Sequence, residues 1–341
     1  MGVRLSKLVV KEVTELRRLR GKRLAIDANN TLHQFLALIR KPDGTPLTDP
    51  RGKVTSHLVG LAFRSTRLLY DYGIDLVFVF DGPPPSFKKE EIAKRRSSRE
   101  RALIEWREAL SRGDLAKAFS KAVVSGVLTK DMVEDSKRLL KLLGIPYVEA
   151  PSEGEAQTAF MAARGDVWAA GSQDFDSLLF GSPRLVRYVT IQGTEFLPSR
   201  GVIKKLKPEV IELQATLSYL GLSRSQLIDL AILMGTDFNR GIKGVGPLKA
   251  LKLIKTYGGL EAIPSSIRSQ LPSHVDEVKR FFLNPPVTHH YNLDYRELDA
   301  EGLKRFLCDE KGFAENRVDV LIKRMESFHA TRLQAKLSSW T

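Results

Sequence analysis

The chain has 341 residues, and its 54 lysines and arginines outnumber its 40 aspartates and glutamates, which gives a formal net charge of +14. This excess of positive charge predicts a polyanionic partner, and the length allows a large hydrophobic core in up to about two domains. No apolar run approaches the roughly 18 to 20 residues that span a bilayer, no signal peptide opens the chain, and the single cysteine, Cys308, excludes a disulfide framework and a cysteine-built zinc site.

Short apolar strands alternate with amphipathic helices up to about residue 85 and again from residue 130. This alternation predicts a mostly parallel sheet with helices on both faces. The predicted strands cover residues 24–27, 75–81, 145–149 and 166–170. The predicted helices cover residues 28–40, 53–72, 130–143 and 153–164, with a loop at 41–52.

Residues 86–129 interrupt the alternation. The part from Ser86 to Arg112 carries nine lysines and arginines against five glutamates. Such a segment has too few apolar positions to lie in a core, so we expect it to be helical and to project from the body of the protein.

Beyond about residue 208 the pattern is nearly all helical. A glycine-rich turn at 241–247 separates two predicted helices, and the second of these carries Lys249, Lys252 and Lys255 along one side. The end of the chain, from residue 332 to 341, lacks an amphipathic pattern, which predicts a loose tail.

Seven acids stand next to apolar segments. Asp27 and Asp81 close predicted strands, and in parallel sheets ligands gather beyond the carboxyl ends of the strands. Carboxylates in such places repel one another and lose solvation, so the pattern predicts a cation of high charge density. Because no histidine or cysteine is interleaved, the ligation would be by oxygen alone, which favours Mg²⁺ or Mn²⁺ over zinc. The seven acids are Asp27, Asp81, Glu153, Glu155, Asp174, Asp176 and Asp237.

An acidic metal site in a basic protein predicts nucleic-acid hydrolysis. Two hard cations held about 4 Å apart can activate a water molecule and stabilise the leaving oxygen of a phosphodiester. Lys88 and Arg95 are two helical turns apart on one face of the projecting segment and could point at the scissile phosphate. The simpler interpretation is that both are surface charges of a charged helix.

The glycine-rich turn suits contact with phosphate, because glycines allow close approach and helix N-termini attract anions. Glycine turns are widespread, so this one is weak evidence alone. Together with the lysines of the following helix it predicts binding to the duplex backbone without regard to base sequence.

These residues carry a resemblance to a known family, the flap endonucleases, which are structure-specific 5′ nucleases of DNA replication and repair. The resemblance spans almost the whole chain. It rests on the motifs Ile26-Asp27-Ala28, Val79-Phe80-Asp81-Gly82-Pro83-Pro84, Ala150-Pro151-Ser152-Glu153-Gly154-Glu155-Ala156-Gln157, Ser172-Gln173-Asp174-Phe175-Asp176 and Met234-Gly235-Thr236-Asp237-Phe238.

The resemblance implies a role for each of these regions. The seven acids would ligate two Mg²⁺ ions, for which Mn²⁺ can substitute, and Lys88 and Arg95 would assist at the scissile phosphate. Residues 86–129 would form an arch for a 5′ single strand, and the glycine turn would be a helix-hairpin-helix element that grips duplex DNA and holds K⁺. The implied DNA-binding residues are Gly2, His33, Gly241, Lys243, Gly244, Gly246, Lys249 and Lys252.

Two positions depart from the family pattern. His33 stands where the family commonly has a tyrosine that stacks on a nucleobase, and a histidine offers less ring area for stacking. The tail resembles a sliding-clamp-binding motif, with Gln334, Leu337 and Trp340 as its contact residues, but Thr341 replaces the last aromatic residue. The abrupt end resembles archaeal members of the family.

The sequence thus predicts an α/β fold of the PIN-like, 5′ nuclease type, with a mostly parallel central sheet, a helical arch insertion and a helical C-terminal region. We expect one nuclease domain over 1–330, divided into 1–85, the arch 86–129, an internal part 130–240 and a DNA-binding region 241–330, followed by a clamp-binding tail 331–341.

The predicted protein is an intracellular, monomeric enzyme that cleaves 5′ flaps in Okazaki fragment maturation and repair, with 5′–3′ exonuclease activity. Three alternatives stay open at this point. They are a sister 5′ exonuclease or bubble-cutting repair nuclease, a non-catalytic DNA-binding clamp adaptor, and a small-molecule Mg²⁺ phosphohydrolase. The seven acids argue against the adaptor, and the charge of +14 argues against the phosphohydrolase.

Overall fold

The structure is a computed structural model that describes residues 2–191, 193–197 and 202–338. Its strands are β1 (Lys11–Val13), β2 (Arg23–Asp27), β3 (Asp75–Phe80), β4 (Tyr147–Glu149), β5 (Ala169–Gly171), β6 (Arg184–Arg187), β7 (Gly193–Leu197), β8 (Val202–Leu206) and β9 (Glu209–Glu212).

The helices alternate with these strands in the first part of the chain and dominate the second part. They are α1 (Ala28–Leu38), α2 (Ser56–Tyr70), α3 (Lys89–Ser111), α4 (Leu115–Ser125), α5 (Lys130–Leu142), α6 (Gly154–Ala163), α7 (Asp176–Leu179), α8 (Leu213–Leu220), α9 (Arg224–Met234), α10 (Pro247–Tyr257), α11 (Ser265–Arg268), α12 (Val275–Leu283), α13 (Ala300–Lys304) and α14 (Glu315–Ser338).

Seven strands form the central sheet in the order β1-β9-β6-β5-β2-β3-β4. The five strands from β6 to β4 are parallel, whereas β9 pairs antiparallel with both β6 and β1. The predicted mostly parallel sheet flanked by helices is therefore confirmed. The interpretation of the chain beyond residue 208 as nearly all helix missed β9, whose Val210 and Ile211 suit a strand.

The central strands are covered on both faces. Along β3, Phe78 and Phe80 belong to the core that includes α1, α2 and α14, while Val77 and Val79 pack with residues of α6 on the other side. Successive side chains of a strand point to opposite faces, so an unbroken apolar run is what a strand between two helical layers requires.

The predicted projecting segment consists of α3 and α4. Of the 23 residues of α3 only Ala102 and Ala109 are buried, and α4, which packs against α3, buries Ala118 and Ala122. The small side chains allow the two helices to pack closely, while the charged residues remain in solvent. Trp106 joins this pair to the body by donating a hydrogen bond to the carbonyl of Asp43 at 3.3 Å.

The C-terminal helix α14 extends to Ser338, so the predicted loose tail is wrong for residues 332–338. The prediction relied on the missing amphipathic pattern and neglected intrinsic propensity, since arginine, leucine, glutamine, alanine and lysine all favour helix. Arg332 also ties this helix to the sheet through Asp75, with nitrogen-to-oxygen distances of 2.8 and 2.9 Å. Trp340 and Thr341 lie outside the described residues.

Within the described ranges, no helix combines the length and the apolar character that a membrane crossing needs.

Candidate active site

The sheet topology brings the predicted acids to one edge. Strands β5, β2 and β3 are neighbours. Asp27 ends β2, Asp81 follows β3, and the loop after β5 carries Asp174 and leads to Asp176, the first residue of α7. The remaining acids are delivered by helices, because Glu153 and Glu155 lie at the start of α6 and Asp237 follows the end of α9. The backbone N–H of Gly154 donates to Asp81 at 2.6 Å, which joins the start of α6 to the end of β3.

Mutual repulsion connects all seven acids electrostatically. Burial raises the pKa of Asp27 well above its ordinary value, and the charges of Asp81, Asp174 and Glu153 raise it further. The pKa of Glu155 is likewise raised well above its ordinary value, first by burial and then by Asp176, Asp27 and Asp174. Burial, followed by the charges of Asp237 and Asp174, raises the pKa of Asp176 to about 8. Every one of the predicted acids appears in this set of repulsions.

Two basic side chains from the base of the projecting segment contact this cluster. The ammonium group of Lys88 lies 2.5 Å from a carboxylate oxygen of Glu153, and the guanidinium group of Arg95 contacts the carboxylate of Asp237. Burial opposes the protonation of Lys88, but the charge of Glu153 prevails and raises the pKa of Lys88 above its ordinary value. The sequence analysis predicts that both residues point at the scissile phosphate, and these contacts place them beside the acids.

The donor set fits a hard divalent cation. It consists of oxygen ligands alone. The pKa values of Asp27, Glu155 and Asp176 are raised by burial and by neighbouring carboxylates, and bound Mg²⁺ or Mn²⁺ would relieve both effects. Among residues 2–191, 193–197 and 202–338, no three acidic, histidine or cysteine side chains are already arranged as a coordination shell. The engagement of Glu153 by Lys88 and of Asp237 by Arg95 provides a physical reason.

Several supporting residues were missed by the sequence analysis. The side-chain amide of Asn30 donates to Asp174 at 2.9 Å, while its backbone N–H donates to Asp27 at 2.9 Å. The hydroxyl of Ser172 donates to Glu155 at 2.9 Å. The signal was available, because Asn30 lies in the first turn of the helix that follows Asp27 and Ser172 opens the loop that carries two acids.

The N-terminal segment lies at the cluster, as expected for Gly2. The backbone N–H of Val3 donates to Asp176 at 2.9 Å, and a Cβ atom on Gly2 would lie 2.7 Å from a carboxylate oxygen of Asp176. Glycine at this position therefore allows the chain to pass directly over the acids.

His33 lies on α1, within electrostatic reach of Arg99 and Arg95 of α3. It is half-buried on α1, and its pKa is lowered to about 4 by burial and then by the positive charges of Arg99 and Arg95. The ring is therefore neutral at physiological pH and sits close to the side chains at the base of α3.

The predicted duplex-binding turn connects α9 to α10. Gly244 has φ +78°, and Gly246 caps α10 without any side chain that would occupy the first backbone N–H groups of the helix. Lys243, Lys249 and Lys252 are exposed, and none of them forms an ion pair with an acid in the described part of the chain. Gly241 has a steric role, because a Cβ atom there would lie 2.1 Å from the backbone of Met234.

The predicted clamp-binding residues are only partly described. Gln334 is exposed on α14, and Leu337 belongs to the last turn of the same helix. Trp340 lies outside the described residues.

Comparison with known proteins gives consistent matches over the whole chain. Residues 1–102 match the family model of the XPG N-terminal domain, and residues 144–237 match that of the XPG I-region. The chain is 49% identical to the flap endonuclease 1 of Pyrococcus abyssi, in an alignment that covers 100% of this chain and 98% of that protein. It is 48% identical to the flap endonuclease 1 of Archaeoglobus fulgidus, with both proteins covered completely.

Solved structures agree with the sequence matches. The flap endonuclease-1 from Methanococcus jannaschii superimposes with a TM-score of 0.77 at 39% identity, covering 97% of this chain and all of that one. The catalytic core of Rad2 in complex with a DNA substrate superimposes with a TM-score of 0.68 at 25% identity, covering 92% of this chain and 96% of that one.

Proposed function

The chain belongs to the flap endonucleases, metal-dependent nucleases that cleave 5′ flaps in DNA, and we propose that its seven clustered acids hold two Mg²⁺ ions for this hydrolysis. The observation that supports the proposal is the network of repulsions that includes Asp27, Glu155 and Asp176. Buried carboxylates that raise one another's pKa values are costly in the absence of a cation, and a nuclease site explains why they are kept.

The acids and the two basic side chains have separate tasks in this proposal. When bound, the ions supply an activated water molecule and stabilise the leaving oxygen of the phosphodiester. Lys88 and Arg95 exchange their acidic partners, Glu153 and Asp237, for the oxygens of the scissile phosphate and so stabilise the charge that develops there. Asn30 and Ser172 hold the carboxylates in place during this exchange.

The helix pair α3 and α4 serves as the arch for the 5′ single strand. Its exposed positive charges attract the strand, and its contact with the body through Trp106 keeps it over the acids. His33 provides a neutral ring at the base of the arch, where it stacks on a nucleobase beside the cut. Duplexes whose 5′ ends can enter the arch are also digested exonucleolytically.

The glycine turn binds the duplex on one side of the cut. The open N-terminus of α10 and the unpaired Lys243, Lys249 and Lys252 contact phosphates, and the glycine turn would hold K⁺. The relative solved as a complex with its DNA substrate supports DNA as the partner. We propose that residues 1–330 act together as one monomeric nuclease domain, since the acids span positions 27 to 237.

The end of the chain binds a sliding clamp of the proliferating-cell nuclear antigen type through Gln334, Leu337 and Trp340. Gln334 is accessible on α14, which supports this assignment. Gln334→Ala should weaken clamp binding in a titration by calorimetry while flap cleavage without the clamp stays unchanged. Equal clamp affinity for Gln334→Ala, Leu337→Ala and the unaltered protein would contradict the assignment of the tail to the clamp interface.

One assay tests the catalytic proposal. A labelled 5′-flap DNA, a matched blunt duplex and a phosphomonoester are offered with Mg²⁺ to the unaltered protein, to Asp176→Ala and to the surface control Glu134→Ala. We expect flap-selective cleavage that Asp176→Ala abolishes and Glu134→Ala preserves, with flap binding retained in both. Equal hydrolysis of the phosphomonoester would contradict the proposal, and loss of DNA binding by Asp176→Ala would make that residue structural.

A further inference from the structure

The dipeptide Asp237-Phe238 contacts both basic residues at the base of the arch. The ammonium group of Lys88 lies 5.3 Å from the ring centre of Phe238, a distance at which cation and ring attract each other. The guanidinium group of Arg95 contacts the carboxylate of Asp237. One short segment after α9 therefore fixes the position of both side chains that are proposed to act on the scissile phosphate.

Phe87, which belongs to the arch, packs against Phe238. Its ring meets that of Phe238 edge to face at 5.7 Å and that of Phe281 at 5.3 Å, and it lies nearly parallel to the ring of His274 at 6.3 Å. Phe87 immediately precedes Lys88, so a shift of its ring moves the backbone from which Lys88 extends. Phe281 and His274 belong to the helical region beyond the glycine turn, so Phe87 joins the arch to that region through aromatic contacts.

On its C-terminal side, the dipeptide Asp237-Phe238 continues into the glycine turn. The backbone N–H of Thr236 donates to the carbonyl of Asn239 at 3.0 Å, and the side-chain amide of Asn239 donates to the carbonyl of Ile232 at 2.9 Å. The backbone N–H of Ile242 donates to the carbonyl of Leu233 at 2.9 Å. Residues 235–242 therefore form a hydrogen-bonded loop that runs directly into the rest of the glycine turn.

We propose that Phe87 and Phe238 are positioning residues that couple duplex binding at the glycine turn to the placement of Lys88 and Arg95. This inference rests on the proposed roles of the turn and of the two basic residues. Binding free energy from the duplex, remote from the cut, is used to orient the groups that act on the phosphate. A substrate whose duplex does not reach the turn binds more weakly and is also cut more slowly once bound.

The test measures single-turnover cleavage with saturating enzyme on two flap substrates. One carries a duplex long enough to reach the glycine turn, and the other carries a duplex that ends before it. For the unaltered protein we expect the long duplex to be cut about tenfold faster, a typical coupling between two sites. Phe87→Leu should cut both substrates at the rate of the short one, and Phe87→Tyr, which keeps the ring, should restore the difference.

Two controls separate coupling from loss of stability. Phe306→Leu removes a fully buried ring far along the chain from the arch and should keep the dependence on duplex length. Lys249→Ala alone should slow cleavage of the long duplex. When it is combined with Phe87→Leu it should cause no further slowing, although it weakens duplex binding in both proteins. A Phe87→Leu protein that keeps the length dependence, or a Phe306→Leu protein that loses it equally, overturns the inference.

A further variant distinguishes failure of this inference from failure of the proposed function. Lys88→Ala should slow cleavage of both substrates. If Lys88→Ala slows cleavage and Phe87→Leu keeps the length dependence, only the coupling is wrong. If Lys88→Ala has no effect on either rate, the proposed role of Lys88 fails and the coupling to it fails as well.

Discussion

The ammonium group of Lys88 and the carboxylate of Glu153 form a partly buried ion pair at 2.5 Å, in which both side chains are only 12 to 13% exposed. Arg95 and Asp237 form a second pair beside it. In the protein without DNA, two of the proposed metal ligands are thus neutralised by the residues proposed to act on the substrate. A metal ion would give the two acids a new partner, and a DNA phosphate would give Lys88 and Arg95 a new partner. Metal binding and DNA binding should therefore be linked.

Removal of Lys88 should have opposite effects on metal binding and on catalysis. Lys88→Met frees Glu153 and removes a nearby positive charge, so Mn²⁺ should bind several-fold more tightly, as measured by electron paramagnetic resonance of free Mn²⁺. The single-turnover cleavage rate should fall about 100-fold or more, because a donor to the scissile phosphate is lost. Lys94→Met is the matched control and should change neither quantity, because Lys94 is exposed on α3 and pairs with Glu91 at 3.5 Å.

Neutralisation of Asp27 should stabilise the metal-free protein while it inactivates the enzyme. Asp27→Asn removes one of the mutually repelling charges, and asparagine can still accept the hydrogen bond from Asn30 that caps α1. In EDTA we expect the melting temperature to rise by about 2 to 4 °C, while flap cleavage falls by about 100-fold or more. Asp114→Asn alters the cap of α4 in the same way outside the cluster and should leave both values unchanged. A lower melting temperature for Asp27→Asn would contradict the repulsion.

The raised pKa of Asp176 predicts an unusual pH dependence. Because its pKa is about 8 in the folded protein and near 3.8 in the unfolded chain, the folded state binds a proton that the unfolded state has lost between these values. The stability of the metal-free protein should therefore fall as pH rises from about 4 to about 8. Urea denaturation in EDTA at several pH values in this range checks the slope, and Asp176→Asn should make it shallower. Saturating Mg²⁺ should also reduce it, because the ion binds the deprotonated carboxylates.

The lysines of the glycine turn should control the salt dependence of duplex binding. Lys249→Ala and Lys252→Ala should each reduce the slope of log affinity against log salt concentration by about 1, without preference for base sequence. Lys304→Ala is the control, since that lysine already pairs with Glu315 and Asp319. Fluorescence anisotropy with an inactive Asp176→Ala background measures binding without cleavage. Unchanged slopes for both variants would place the duplex elsewhere.

Much of the site could be predicted from the sequence because strand ends share an edge in a parallel sheet. Asp27 and Asp81 each follow an apolar run, and adjacent parallel strands necessarily bring such residues together. The composition of the seven acids, without histidine or cysteine, was enough to favour a hard cation. The helices α3 and α4 were likewise predictable as a projecting segment, because so few residues of α3 could enter a core.

Other features depend on contacts that local patterns do not contain. The sequence could not show that β9 runs antiparallel beside β6, since pairing is decided by which distant strand offers free backbone groups. It also could not show that Asn30 holds Asp174, or that Phe87 meets Phe238, because each pair joins residues far apart in the chain.

The sequence by itself therefore determined which chemical groups this protein brings to its proposed active site. Residue types, charge and strand boundaries are local properties, so they can be read without knowing the fold. Only the tertiary structure decided which groups neutralise one another before the substrate arrives, as Lys88 and Glu153 do. That outcome depends on distance and burial, because the energy of an ion pair is set by its separation and by the water that packing removes from around it.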